Sequence, residues 1–137
     1  MISGKAFLAE LKKDDSGAAM VEFAVVAVVF FIPLIFGIIE FGRLSFAKTT
    51  LTSAAREGVR YAIVHGSESP AEADSAAVAN YVKGRTQLGG IVVRTRWMPD
   101  NEPGDTVQVT VQYQFNSLIP VIQSRQLQGV SRQVIAF

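Results

Sequence analysis

A chain of 137 residues is long enough for one small domain, yet with 49% hydrophobic side chains and a mean hydropathy of +0.27 it is too apolar to hide them all in a core of that size, which calls for a membrane segment. With no cysteine, a disulfide framework and a thiolate metal site are both excluded, while the redox compartment stays open. The 13 Lys and Arg give a formal charge of only +1 and are scattered along the chain, which argues against a nucleic-acid-binding domain and its concentrated basic face.

The first predicted element is the apolar run. From Phe23 to Ile39 no residue is charged, and Glu22 and Glu40 close the run at its two ends. About 17 residues give roughly 26 Å of helix, the short limit for a bilayer core; counting from Ala18, with Glu22 inside, gives about 22 residues and roughly 33 Å. In the longer version Glu22 lies within the membrane, where a carboxylate costs a few kcal/mol and reads as functional when a partner exists. The neighbouring sequence supplies no such partner. A cleaved secretory signal fits less well, because its apolar core is about 7–15 residues and ends in a small-x-small site, whereas this run leads into Glu40-Phe-Gly-Arg43. Pro33 and Gly37 are tolerated in membrane helices, and a kink is expected near Pro33.

Helical periodicity continues beyond the run. Phe41, Leu44, Ala47, Leu51, Ala55, Gly58 and Ala62 recur every three or four residues, with Arg43, Lys48, Arg56, Glu57 and Arg60 between them. With Gly66 as a stop at C′, one helix is predicted from about Ser16 to His65, roughly 75 Å long. A short second helix is signalled by Ser69-Pro-Ala-Glu72, read as a capping box with Pro70 at the first helical position. Gly89-Gly90 ends that region, and the period then changes to two. Ile91–Met98 is strand-like, residues 99–105 are rich in turn formers, and Thr106–Phe115 alternates Val107, Val109, Val111, Tyr113 and Phe115 against Gln108, Thr110, Gln112 and Gln114. Leu127–Phe137 offers a third strand. The fold class is therefore α+β: a long N-terminal helix, half membrane and half amphipathic, whose soluble half packs on a small three-stranded antiparallel sheet, with one short additional helix.

The stretch "SGAAMVEFAVVAVVFFIPLIFGIIEFGRL" followed by "AAREGVRYA" (Ala54 to Ala62) closely resembles the TadE-like minor pilins, or pseudopilins, of the tight-adherence (Tad/Flp) type IV pilus system. The resemblance implies a prepilin-type leader at 1–17, a transmembrane helix at 18–40 and an extracytoplasmic pilin-like domain at 41–137. It further implies cleavage by a membrane-embedded prepilin peptidase after Gly17, so that Ala18 becomes the new N-terminus and Glu22 the fifth mature residue. The small glycine lets an active site close around the backbone. Lys12 and Lys13 suit the cytoplasmic side, and the adjacent Asp14 and Asp15 count little in the positive-inside rule. After cleavage the Ala18 amine of one subunit can pair with Glu22 of a neighbour as helices bundle, with Ala18, Glu22 and Phe23 as the assembly residues. The implied partners are the peptidase, other major and minor pilins, the pilus assembly platform and the membrane, with no cofactor. The implied location is the inner (cytoplasmic) membrane, with the C-terminal domain outside the cytoplasm or within an extracellular pilus.

Other residues carry plainer readings. His65, the only histidine, sits at a helix end, where an imidazole can cap carbonyls; without a second His or any Cys it makes no metal set. Ser16, Ser45 and Ser53 have no histidine–acid constellation, so the chain is read as no enzyme. Arg56 and Glu57 are read as ion-pairing residues that tie the helix to the sheet or face a partner pilin. Trp97 fits core, edge or contact surface equally. Against the pilin reading stands an unprocessed single-pass protein whose extracytoplasmic domain binds a ligand; the mature N-terminus separates the two.

Overall fold

The computed structural model describes residues 15–67, 69–120 and 122–135. Its elements in chain order are α1 (Asp15–Val64), α2 (Ser75–Arg85), β1 (Val92–Met98), β2 (Thr106–Phe115) and β3 (Arg125–Val134). The α+β class and the single three-stranded antiparallel sheet are as the residue periods predict. By its contacts the chain divides into two units, one ending at Ile39 and the other beginning at Glu40. In the first, α1 continues through Pro33, and its large apolar side chains from Met20 to Ile39 are exposed.

In the second unit, α1 turns one stripe inward. Ala47, Leu51, Ala54, Ala55, Gly58, Val59 and Ala62 are buried, at the three- and four-residue spacing of one helix face. Most of these side chains are small, so the helix backbone can lie close to the sheet. A Cβ placed on Gly129 of β3 would overlap the Leu51 carbonyl, and one on Gly58 would sit 2.8 Å from Val82 Cγ2 and 3.0 Å from Val109 Cγ1. The rest of the core comes from Val78 and Val82 of α2, Val107, Val109 and Val111 of β2, and Ile135 after β3. Full burial of each Val, Leu or Ile is worth about 1.5–3 kcal/mol, which makes this shared core the main source of the domain's stability.

The sheet order is β1-β2-β3, so β2 is central. Val109 pairs with Thr95 and Ser131, and Val111 with Val93 and Gly129, which keeps the β2 valines on the face turned to α1. The other face is polar: Arg94, Arg96 and Arg132 flank the β2 glutamines, and Gln108 Oε1 accepts from Arg132 Nη2 at 2.6 Å and Nε at 3.2 Å.

Three local stops differ from the sequence expectation. Among the described residues the glycines with positive φ are Gly90 and Gly104, so α1 does not end on a left-handed Gly66. Its end is tied instead by His65, whose N–H donates to the Ala62 carbonyl at 3.3 Å and whose Nδ1 lies 2.9 Å from the Tyr61 carbonyl. Helix α2 starts at Ser75 rather than after Ser69. Asp74 is its N-cap and accepts from the Ala77 N–H at 2.6 Å, while Glu72 accepts from Asn101 Nδ2 and thereby links two loops. Finally, β3 begins at Arg125, two residues before the predicted start, because the backbones of Arg125 and Gln126 pair with Phe115 and Gln114.

Candidate functional site

The residues singled out at the helix start lie on the N-terminal half of α1. Gly17, Ala18, Glu22 and Phe23 are all exposed, as is Pro33 farther along. Helical spacing puts Ala18 and Glu22 on one face, four residues apart. Among the described residues Glu22 has no hydrogen-bond or ion-pair partner. No described atom would come within 4 Å of a Cβ at Gly17, as at Gly37 and Gly42 farther along α1, whereas Gly58 and Gly129 are hemmed in by neighbours in the chain. Residues 1–14 lie outside the described residues.

A second polar site lies where the second unit begins. Glu40 is only 7% exposed and is the one buried charged residue among the described residues. Its Oε2 accepts from Arg43 Nη1 at 2.8 Å, one helical turn on, and its Oε1 accepts from the Leu118 N–H at 3.1 Å. Arg43 also donates through Nη2 to the Asn116 carbonyl at 3.4 Å and lies 5.2 Å over the Phe115 ring. The Ser117 hydroxyl donates to the Ile119 carbonyl at 3.2 Å and accepts from the Ile119 N–H at 3.0 Å. Arg43 and the Leu118 N–H both favour an ionised Glu40, which serves as a clamp that ties the loop after β2 to α1.

Sequence reasoning took Glu40 only as the charge that closes the apolar run. Its partner Leu118 lies 78 residues away in the chain, and the one local signal was Arg43 at i+3. Conversely, Arg56 and Glu57, read as ion-pairing residues, are exposed, and the ion pair found among the described residues is Glu40–Arg43. His65 stacks on Tyr61 at 4.3 Å, and Tyr61 on Tyr81 at 4.3 Å, so the imidazole finishes an aromatic stack at the helix end. Trp97, left open by the sequence, is half-buried against the core and pairs with Val107. No set of three or more His, Cys, Asp or Glu able to hold a metal occurs among the described residues.

Residues 17–60 match the model of the family described as TadE-like protein. The match opens at Gly17 and takes in Ala18, Glu22, Phe23, Pro33, Glu40 and Arg43. No curated protein and no solved structure is similar enough to match the chain. The family is associated with Tad pilus systems and is structural rather than known for catalysis, and α1 is long and apolar enough to cross a membrane. The match covers less than half of the chain and falls on the helix that carries Gly17, Glu22 and Glu40, so residues 17–60 are similar to TadE-like proteins.

Proposed function

We propose that this protein is a minor pilin, or pseudopilin, which a prepilin peptidase cuts after Gly17 and which then takes part in assembling a tight-adherence pilus for adhesion or secretion. The observation that carries the reading is the match of residues 17–60 to the TadE-like family model, which opens at Gly17. The small Gly17, with no described atom within 4 Å of its Cβ position, leaves the backbone open to a protease. Glu22, exposed and without a partner among the described residues, fits the same account. Cleavage gives Ala18 a free α-amino group, and in a bundle of helices Glu22 of one subunit pairs with that amine on the next. A paired charge among packed helices is far less costly than a lone one in lipid. Phe23, exposed beside it, adds apolar contact between neighbouring helices. The protein sits before assembly in the inner membrane, held by one span, with the domain from Phe41 onward outside the cytoplasm. Its partners are the peptidase, other pilins and the assembly platform.

N-terminal sequencing of the protein from its native membrane or pilus fraction tests this. The expected mature sequence starts Ala18-Ala-Met-Val-Glu22. An N-terminus still carrying residues before Gly17, in cells that assemble the pilus, rejects the processing and favours a permanently anchored binding domain.

A further inference from the structure

We infer that the sheet face turned away from α1 is a docking surface for an acidic polysaccharide, whose carboxylates are held by Arg94, Arg96 and Arg132. Three observations carry it, all within the unit that begins at Glu40.

The first is segregation of charge. The chain as a whole is nearly neutral, with 13 Lys and Arg against 12 Asp and Glu. Its three strands hold Arg94, Arg96, Arg125 and Arg132 but no Lys, Asp or Glu. The strand register gathers three of these arginines on one face. Arg96 and Arg132 are the two cross-strand neighbours of Gln108, and Arg94 lies beside Thr110, all opposite the buried Val107, Val109 and Val111. Strand spacings put Arg96 about 10 Å from Arg132 and about 7 Å from Arg94.

The second is that these charges are exposed and uncompensated. All three side chains face solvent, and among the described residues none has a carboxylate partner, the ion pair there being Glu40–Arg43. Arg132 donates to Gln108 Oε1 through Nη2 at 2.6 Å and Nε at 3.2 Å, a neutral acceptor that aims the guanidinium without cancelling its charge. Gln108 is itself steadied through Nε2, which lies 3.4 Å from Thr110 Oγ1. Like charges gathered in this way repel one another, and an anion laid across them relieves the repulsion.

The third is the chemistry around the arginines. Gln112 and Gln128 pair across β2 and β3 on the same face. Side-chain amides both donate to and accept from hydroxyl groups, while guanidinium forks take carboxylates two-pronged. The aromatic residues of the sheet, Trp97, Tyr113 and Phe115, share the other face with the valines. The arginine face therefore lacks the aromatic anchors of a protein interface and the stacking platform of a single-stranded nucleic-acid site. A polymer that repeats a carboxylate and several hydroxyls matches guanidinium and amide together, and its repeated contacts add along the chain.

The test uses the full chain in nanodiscs of zwitterionic phospholipid, with fluorescently end-labelled polygalacturonate as the probe and anisotropy as the readout. Arg94→Gln/Arg96→Gln/Arg132→Gln is compared with Lys48→Gln/Arg56→Gln/Arg60→Gln, which removes the same charge from the exposed side of α1. The sheet variant is expected to lose affinity about tenfold or more and the α1 variant about twofold at most. All six positions are exposed, so both variants should fold. Arg94→Gln alone, which disturbs no hydrogen bond among the described residues, should already weaken binding. Added salt should weaken it further in the wild type. Equal losses in the two triple variants would mean attraction to net charge and overturn the assignment to this face. Poly-L-glutamate or duplex DNA binding as tightly as polygalacturonate would make the partner an acidic protein or a nucleic acid and overturn the glycan. Absence of binding by the wild type would leave the arginines as guards of the two edge strands and overturn the proposal.

Discussion

Gly129 of β3 and Leu51 of α1 meet backbone to backbone: a Cβ on the glycine would overlap the Leu51 carbonyl group. Leu51 is itself fully buried, so the helix has no room to retreat without opening the core.

Gly129→Ala should therefore cost about 3 kcal/mol or more, because the obstacle is backbone and both elements must separate. Gly58→Ala faces only the side-chain tips of Val82 and Val109, which can shift, and it gains about 1 kcal/mol of helix propensity. Its net effect should stay within about 1 kcal/mol, the overpacking cost being partly offset. Unfolding of the two variants in detergent checks the order; equal losses would mean the helix and strand do not approach as closely as described.

Asp74 and Ser69 offer a comparison of two candidate caps. Asp74→Ala removes the acceptor for the Ala77 N–H and should destabilise the domain by about 1 kcal/mol, with faster amide exchange in the first turn of α2. Ser69→Ala loses only a 3.4 Å contact to the Ala71 N–H in an exposed turn and should change stability by less than about 0.5 kcal/mol. A larger loss at Ser69 would restore the earlier helix start.

Glu40→Gln keeps an acceptor for the Leu118 N–H but ends the ion pair with Arg43, so the variant should be less stable than the wild type, read as a lower unfolding midpoint in detergent. An unchanged midpoint would remove the ion pair from the domain's stability. Glu40→Ala should in addition speed exchange of the Leu118 amide.

Two substitutions at the start of α1 separate cleavage from assembly. Replacing Gly17 with a bulky residue should leave full-length protein in the membrane, even though the fold has space for the side chain. Glu22→Gln keeps size and polarity but removes the charge, so processing should continue while incorporation into the pilus drops sharply. Gel mobility of the membrane protein and the amount in sheared pili measure the two effects. Normal piliation by Glu22→Gln would reject the pairing of Glu22 with the Ala18 amine.

Periodicity along the chain was sufficient for the elements whose faces differ in solvent. The strand at Thr106–Phe115 is bounded as its alternation of valine and glutamine predicts, and α1 ends within a residue of the expected His65. Both signals are local: a period of two or 3.6 is imposed by the chain's own geometry wherever one face meets an apolar environment. The Gly17–Glu22 spacing is read along one helix in the same local way, and the role given to it is a proposal. What tertiary structure alone decided is how distant residues share polar groups. Glu40 looked like the end of an apolar run and proved to hold the Leu118 N–H and Arg43. Ser69 and Glu72 looked like a helix cap, but Glu72 is taken up by Asn101 and the capping falls to Asp74. Arg125 and Gln126 lack an apolar pattern and are strand because the backbones of Phe115 and Gln114 pair with theirs. Hydrogen bonds of this kind pair a donor and an acceptor that the fold brings within about 3 Å, whatever their separation in sequence, so no pattern read along the chain encodes them.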